Sequence, residues 1–365
     1  MSPEVVPNYA SLRLVHLFNQ FAPRQAIRNL QTELELFQHN GRWFPLTRNQ
    51  TEYDNSYICS FYTAYVAYAR AELSLIQQPL QRWGLHKTSY LAALILRLAR
   101  INQTVCLNNW LFSTNPMHWL SAEEMREISQ RLVQQNPFHN LSIRSLNRRH
   151  NSEFMTHLEQ QGWLLIPARQ VYLFAKDGDW QTRNNVKNDW RLLRKTQLQL
   201  RHPLQHQAED FTVIEQRFRQ LFIDKHSAFN PQFSANYLYG LHEQKLLEFF
   251  SFCDAQGRIM ATLGVFTENG IMTAPIVGYD TEAPKQLGLY RLVIGQLLKL
   301  AAERKLELNL SAGAGEFKRN RGGEAVIEYS AFYCRHLPWM QRQLLSGFAK
   351  LLNRYAPKVF AENPL

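Results

Sequence analysis

The clearest chemical signal in the sequence is a glycine-rich stretch that is followed at once by cations. Residues 306–310 are predicted to form a strand, and the chain then turns through a segment that contains two glycines. Glycine lets backbone N–H groups approach an anion, and nearby cations neutralise the negative charge of that anion. The stretch therefore predicts an anion-binding loop, with a solvated basic turn as the alternative. The candidate residues are Gly313, Gly315, Lys318, Arg319 and Arg321.

A second group of cations follows a helical spacing. Lys187, Arg191 and Arg194 are four and three residues apart, which places them along one stripe of a helix, and Asp189 is the only acid among them. Like charges on one stripe cost stability unless an anion or a partner neutralises them. We therefore expect these residues to bind an anionic donor molecule, with a solvated helix face as the alternative.

Three segments are predicted to position these residues, in a mixed α/β (α+β) fold. Residues 1–115 are expected to form a mixed extension of helices and a hairpin, because Asn40-Gly41 separates two apolar runs. Residues 116–180 contain a helix over 122–134 that begins with a Ser121–Glu124 capping box. Residues 163–174 are expected to form two short strands.

The third segment, residues 181–365, is expected to carry the chemistry. It is predicted to run through three helices, three strands, a long amphipathic helix over 288–304, a strand, the glycine-rich loop and a last strand over 325–333. A helix ends the chain.

Composition limits the classes of protein that fit. The chain has 365 residues and a net charge of +11, which favours anionic partners such as RNA or a phosphorylated cofactor. No apolar run approaches the roughly 20 residues of a membrane span, and no secretory signal is visible, so we expect a cytoplasmic protein. The four cysteines form no CxxC pair and the histidines form no HExxH pattern, so no metal site is expected.

The glycine-rich stretch resembles the terminal signature of the Fem peptidyltransferases and their acetyltransferase relatives, including BioF-like acetyltransferase domains. The matching positions are Gly313, Gly315, Phe317, Lys318 and Gly322. These proteins form a tandem-repeat branch of the GNAT superfamily of acyltransferases, and the resemblance covers about residues 120–335. It implies two GNAT-like units, of which 116–180 would be a shortened first one and 181–365 the second. It also implies that Lys318 stabilises negative charge during acyl transfer and that Phe317 places the reactive end of the donor.

The resemblance also bears on the acyl donor. In CoA-using GNAT enzymes a glycine-containing loop opens a helix and binds pyrophosphate through backbone amides. Lys285 and Gly288 match this loop approximately, but Tyr290 stands where a small residue is expected. The donor is therefore either an acyl-CoA or carrier thioester, or a charged tRNA as in the Fem branch.

No motif identifies a general base. Tyr333 lies on the last predicted strand, where some GNAT enzymes keep a proton-donating tyrosine, so the resemblance makes it a candidate catalytic residue. The sequence predicts an acyltransferase that acts on an amine or hydroxyl of a small molecule or peptide. A Fem-like aminoacyl-tRNA-dependent transferase and a non-catalytic binding module on the same scaffold are the alternatives.

Overall fold

A computed structural model describes residues 9–72 and 79–362 of the protein. Parts of the first and third predicted segments, residues 1–8, 73–78 and 363–365, lie outside the described residues. The strands are β1 (Glu33–His39), β2 (Arg42–Asn49), β3 (Thr104–Leu107), β4 (Asn140–Asn147), β5 (Leu164–Phe174), β6 (Gln199–Arg201), β7 (Glu248–Cys253), β8 (Ile259–Glu268), β9 (Ile271–Tyr279), β10 (Glu307–Asn309) and β11 (Glu324–Tyr333).

Helices connect most of these strands. They are α1 (Tyr9–Phe18), α2 (Pro23–Ala26), α3 (Tyr68–Glu72), α4 (Pro79–Leu98), α5 (Ala122–Gln135), α6 (Arg148–Gln160), α7 (Asn184–Lys195), α8 (Asp210–Arg219), α9 (Ala235–Glu243), α10 (Leu289–Arg304), α11 (Gly315–Arg319) and α12 (Trp339–Glu362). A single turn of π-helix precedes α3 and another follows α8.

All eleven strands belong to one sheet, in the order β1-β2-β3-β4-β11-β5-β10-β9-β8-β7-β6. We call β1 to β5 the first half and β6 to β11 the second half. The two halves exchange strands at the centre of the sheet, because β11 lies between β4 and β5, and β5 lies between β11 and β10. The sheet therefore runs without interruption across residues 115 and 180, and the segment boundaries placed there remain a prediction.

Each half contains one pair of parallel neighbours that are joined through a helix. β3 and β4 are parallel and enclose α5, and β9 and β10 are parallel and enclose α10. β10 is short, so its pairing with β9 ends at Asn309 and Thr273. The chain then turns away to pair with Tyr172 of β5, whose carbonyl accepts a hydrogen bond from the Leu310 amide. β9 continues to Tyr279 alone on that side, and the sheet opens between β9 and β10.

Helices cover both faces of the sheet. In the second half, α8 packs Phe211 and Ile214 against Phe249, whereas α10 packs Leu292 against Phe250 on the other face. Adjacent strand residues point to opposite faces, which explains why Phe249 and Phe250 serve different cores. In the first half, α5 and α6 cover one face, and α4 and α12 cover the other. The predicted mixed α/β class is confirmed.

Local sequence signals predict several elements well. Asn40 and Gly41, both with left-handed φ, join β1 to β2 as the hairpin prediction requires. The capping box of Ser121 and Glu124 is present and opens α5. The prediction of two strands over residues 163–174 is wrong, because β5 is one strand that absorbs its irregularity as a bulge opposite Glu328 and Tyr329.

Candidate active site

The glycine-rich stretch folds as a tight turn followed by one short helix. After β10 the backbone takes left-handed φ values at Ser311, Gly313 and Ala314, and α11 then begins at Gly315. Gly313 has a φ of 81° and open space around it, so the backbone conformation, rather than crowding, makes glycine the suitable residue there. The predicted bend is present. Phe317 and Lys318, however, lie on α11 and not in the turn itself.

Lys318 is buried, with 3% of its surface exposed. Its ammonium donates to the carbonyl oxygens of Leu310 at 2.7 Å, Ser311 at 3.2 Å and Ala312 at 2.7 Å. All three of its N–H donors are therefore used to hold the turn against α11. Burial, aided by the nearby Arg169 guanidinium, lowers the pKa of Lys318 to about 7. The side chain lies inside the protein, at the edge of the opening in the sheet.

A tyrosine from the first half completes the surroundings of Lys318. The ammonium lies 5.5 Å from the centre of the Tyr172 ring. The Tyr172 hydroxyl lies 3.3 Å from an Arg319 nitrogen that donates to it, and it donates in turn to Gln170 at 3.0 Å. Burial raises the pKa of Tyr172, and the Arg319 charge opposes that change. Sequence reasoning missed Tyr172 because only the strand exchange brings β5 beside α11.

Arg321 is engaged in a buried ion-pair cluster. Asp189, fully buried on α7, accepts from Arg321 at 2.6 Å and from Arg291 of α10 at 2.8 Å. The Arg321 guanidinium also covers the Phe317 ring at 3.3 Å and donates to the Phe317 carbonyl at 2.9 Å. These contacts fix α7, α10 and α11 to one another. The prediction that Arg321 binds a donor does not agree with this geometry, since the guanidinium is 5% exposed and paired internally.

The stripe on α7 is exposed as predicted. Lys187, Arg191 and Arg194 face solvent, and no carboxylate of the described residues lies within 4 Å of them. A Cβ placed on Gly295 would lie 3.2 Å from Asp189 Cβ, whereas one on Gly288 would lie 3.0 Å from a methyl group of Leu192. α7 and α10 therefore run antiparallel, and the basic C-terminal turn of α7 lies near the N-terminus of α10.

The N-terminus of α10 has the features of an anion site. Gly288 has a φ of 62° and caps the 16-residue helix, and Lys285 is exposed in the turn before it. Within the described part of the chain, the amides of Leu289, Tyr290 and Arg291 have no hydrogen-bond acceptor. Such amides point outward from the positive end of the helix dipole.

Tyr290 does not crowd this helix end as its size would suggest. Its ring packs inward between Phe317, with ring centres 4.9 Å apart, and Tyr279, with ring centres 6.2 Å apart. Burial raises the pKa of Tyr290 to about 12. The three rings line the open edge of β9 with apolar surface.

Tyr333 lies far from these residues. It ends β11, where its ring packs against Trp163, next to β5, and against His336, which follows β11. Glu324 lies at the other end of the same strand. It directly follows the turn that leads from α11 into β11, where the Gly323 amide donates to the Lys318 carbonyl. Nine residues of strand separate the two ends by roughly 30 Å. Tyr333 and Lys318 therefore do not share a site.

The part of the chain that contains this site resembles a known protein family. Residues 181–319, from α7 to the end of α11, match the family model described as the acetyltransferase (GNAT) domain. This part of the chain is a GNAT acyltransferase domain. The GNAT domain includes the opening between β9 and β10, Gly288 and Lys318, and β5 and β11 complete its sheet from outside the matched residues. No curated protein matches this chain.

Solved structures resemble this chain over more than the GNAT domain. A C-terminal DUF2156 domain from Agrobacterium fabrum, of a protein described as a lysylphosphatidylglycerol synthetase, has a TM-score of 0.52 and 10% identity over 92% of this chain and 96% of that one. L-PGS from Bacillus licheniformis has a TM-score of 0.43 and 12% identity over 68% and 83% of the two chains. FemX has a TM-score of 0.46 and 9% identity over 57% and 77%. Likeness at this identity concerns the fold alone.

Metal sites and membrane-spanning helices are both absent from the described residues. Among the described residues, no group of three His, Cys, Asp or Glu side chains is arranged to hold a metal ion. None of the described helices is both long and apolar enough to cross a bilayer.

Proposed function

We propose that the GNAT domain takes an acyl group from CoA or a carrier-protein thioester and passes it to an amine or hydroxyl of a small molecule or peptide. The observation that supports this donor is the opening between β9 and β10, which leads from the N-terminus of α10 to the turn held by Lys318.

The site has groups that could bind both the phosphates and the amide-containing arm of such a donor. Its phosphates would lie at the amides of Leu289 to Arg291, with Lys285 beside them, because helix N-termini attract anions. Its amide-containing arm would run along the unpaired edge of β9, where backbone groups from residues 274–278 have no partner strand. Tyr279 and Phe317 would line this path.

The reaction needs a group that stabilises developing negative charge. The acceptor nitrogen or oxygen bonds to the carbonyl carbon, the carbon–sulfur bond breaks, and the acceptor's proton passes to the leaving thiolate. We assign the stabilisation of this negative charge to Lys318. Because its three N–H donors are occupied, Lys318 acts through its electrostatic field and through the turn that it fixes. Arg319 is exposed beside it and has further N–H donors to offer. Phe317 would hold the reactive end in place.

Ligand-dependent melting tests the donor. Millimolar acetyl-CoA should raise the melting temperature by a few degrees, because a ligand at about 100 times its Kd stabilises the folded state by about 2.7 kcal/mol. Lys285→Met should reduce the shift, whereas Lys299→Met, a matched change on the far end of α10, should not. A melting temperature that does not respond to acetyl-CoA in the wild-type protein would remove this donor.

A charged tRNA is the second candidate donor, and the stripe on α7 favours it. Lys187 and Arg194 are seven residues apart, so the exposed cations extend over about 10 Å of helix. That row is longer than one pyrophosphate requires. If tRNA is the donor, the protein should retard bulk charged tRNA in a gel at low salt, and reversal of all three charges (K187E, R191E and R194E) should abolish the retardation. Either donor is a cytoplasmic molecule, and we infer the same location for the protein.

A further inference from the structure

A second cluster of buried charges lies on the sheet outside the Lys318 turn, where the two halves exchange strands. Arg144 on β4, Glu328 on β11 and Arg169 on β5 come from three adjacent strands. Arg144 is the first residue after the parallel pairing of β3 and β4 ends, at Leu107 and Ile143. It therefore occupies the same place in the first half that the Lys318 turn occupies in the second.

The charges in this cluster do not balance. Arg169 donates to Glu328 at 2.8 Å, which neutralises both groups. Arg144 has 8% of its surface exposed, yet no carboxylate of the described residues lies within 4 Å of its guanidinium. A buried cation without a counter-charge is costly, so proteins pair it or use it to bind an anion. Two guanidinium groups and one carboxylate leave an excess of one positive charge.

The Arg144 guanidinium also has N–H donors that make no hydrogen bond within the described residues. One of its terminal nitrogens donates to the Ile58 carbonyl at 2.8 Å and lies 3.5 Å from the Phe112 carbonyl. Its Nε and second terminal nitrogen have no acceptor among the described residues and are not sealed from solvent. The half-buried ring of Tyr57 lies 5.8 Å away. The second oxygen of Glu328 is buried without any partner, so the cluster is incomplete on the acid side as well.

We propose that Arg144 binds an anionic group, a carboxylate or a phosphoryl group, of the molecule that accepts the acyl chain. A free guanidinium edge offers two parallel N–H donors, which match two oxygens of either anion. The role as an acceptor site depends on the proposed transferase function, but anion binding at Arg144 does not. Glu328, one strand nearer to Lys318, lies between this site and the turn at which transfer would occur.

Two variants with opposite electrostatic effects test the site. The probes are sodium acetate and inorganic phosphate, titrated at constant ionic strength while melting is followed. Wild-type protein should show a saturable rise in melting temperature with at least one probe. Arg144→Gln should weaken this binding about tenfold or more, because it removes the charge and the fork of donors. Glu328→Gln should tighten it, because it removes the only carboxylate and raises the excess positive charge.

The result distinguishes this site from the donor site. Acetyl-CoA should still raise the melting temperature of Arg144→Gln. If acetyl-CoA does not raise the melting temperature of the wild-type protein, that result counts against the donor proposal alone. If the probe shift is the same in Arg144→Gln and wild type, or absent from both, the anion site is refuted. If Arg144→Gln does not fold, phenylglyoxal modification of the wild-type protein serves instead. The peptide that contains Arg144 should be protected by the active probe, and equal labelling with and without it would refute the site.

Discussion

The burial of Lys318 predicts a distinctive dependence of stability on pH. Burial lowers the pKa of its side chain from 10.5 to about 7. Between these values the unfolded chain holds a proton that the folded protein has released. Raising the pH therefore favours the folded state, and linkage gives a gain of about 2 kcal/mol between pH 7 and pH 9 from this group. Lys318→Met removes the titrating group and with it this part of the pH dependence.

The measurement is urea unfolding of wild type and Lys318→Met at both pH values. The variant also leaves three carbonyl groups without their donor, at about 1 kcal/mol each, and this cost in the variant is independent of pH because methionine does not titrate. The difference in unfolding free energy between the two proteins should therefore grow by about 2 kcal/mol as the pH rises. Lys187→Met, which removes an exposed ammonium on α7, should show no such growth. A constant difference for Lys318→Met would show that the three carbonyls keep the proton in place and that burial does not dominate.

Three further substitutions test the contacts around the site. Asp189→Asn should destabilise the protein by roughly 3 kcal/mol in urea unfolding, because it leaves the buried Arg321 guanidinium without its counter-charge. Gly278→Ala should cost roughly 2–3 kcal/mol, because the added Cβ would lie 2.5 Å from the backbone carbon of Arg217, which cannot move aside alone. Gly288→Val should cost about 1–2 kcal/mol, since valine is strained at a φ of 62°, and it should also reduce the melting shift with acetyl-CoA.

Each of these substitutions has a matched control in the chain. Asp177→Asn changes an exposed carboxylate and should leave stability nearly unchanged. Gly347→Ala places a Cβ in open space on α12 and should not destabilise the helix. Gly270→Val introduces similar strain at a φ of 74°. Gly270 precedes β9, at the other end of that strand from the N-terminus of α10, so the acetyl-CoA shift should remain intact. Equal losses of stability within either of the first two pairs, or equal acetyl-CoA shifts within the third pair, would refute the contact that the pair examines.

Short-range sequence signals predicted the elements but not their arrangement. The Asn40-Gly41 turn and the Ser121 capping box depend only on neighbouring residues, and both are confirmed. β4 was missed although Leu141 and Ile143 alternate with polar residues, because the alternation is lost at Ser145, which takes a left-handed φ of 63°. The strand exchange has no local signal, since it joins residues more than 130 positions apart.

The same limit applies to the candidate site. The glycine bend and the cations that follow it were visible in the sequence, and the bend is present. Their partners were not visible: the carbonyls that hold Lys318 are set by three left-handed residues, and Asp189 meets Arg321 across 132 positions. In the sequence Asp189 stood out only as the one acid among the cations of α7. In the structure it points inward and is the centre of an ion-pair cluster.

The exchange of β5 and β11 sets the order in which the chain can fold during synthesis. β5 leaves the ribosome early, but its two neighbours, β10 and β11, are made last, more than 130 residues later. Until then both edges of β5 lack a partner strand, and β4 and β5 are not joined in one sheet. A truncated chain that stops before residue 324 should therefore expose two open strand edges and aggregate, and the two halves should assemble only when they are present together.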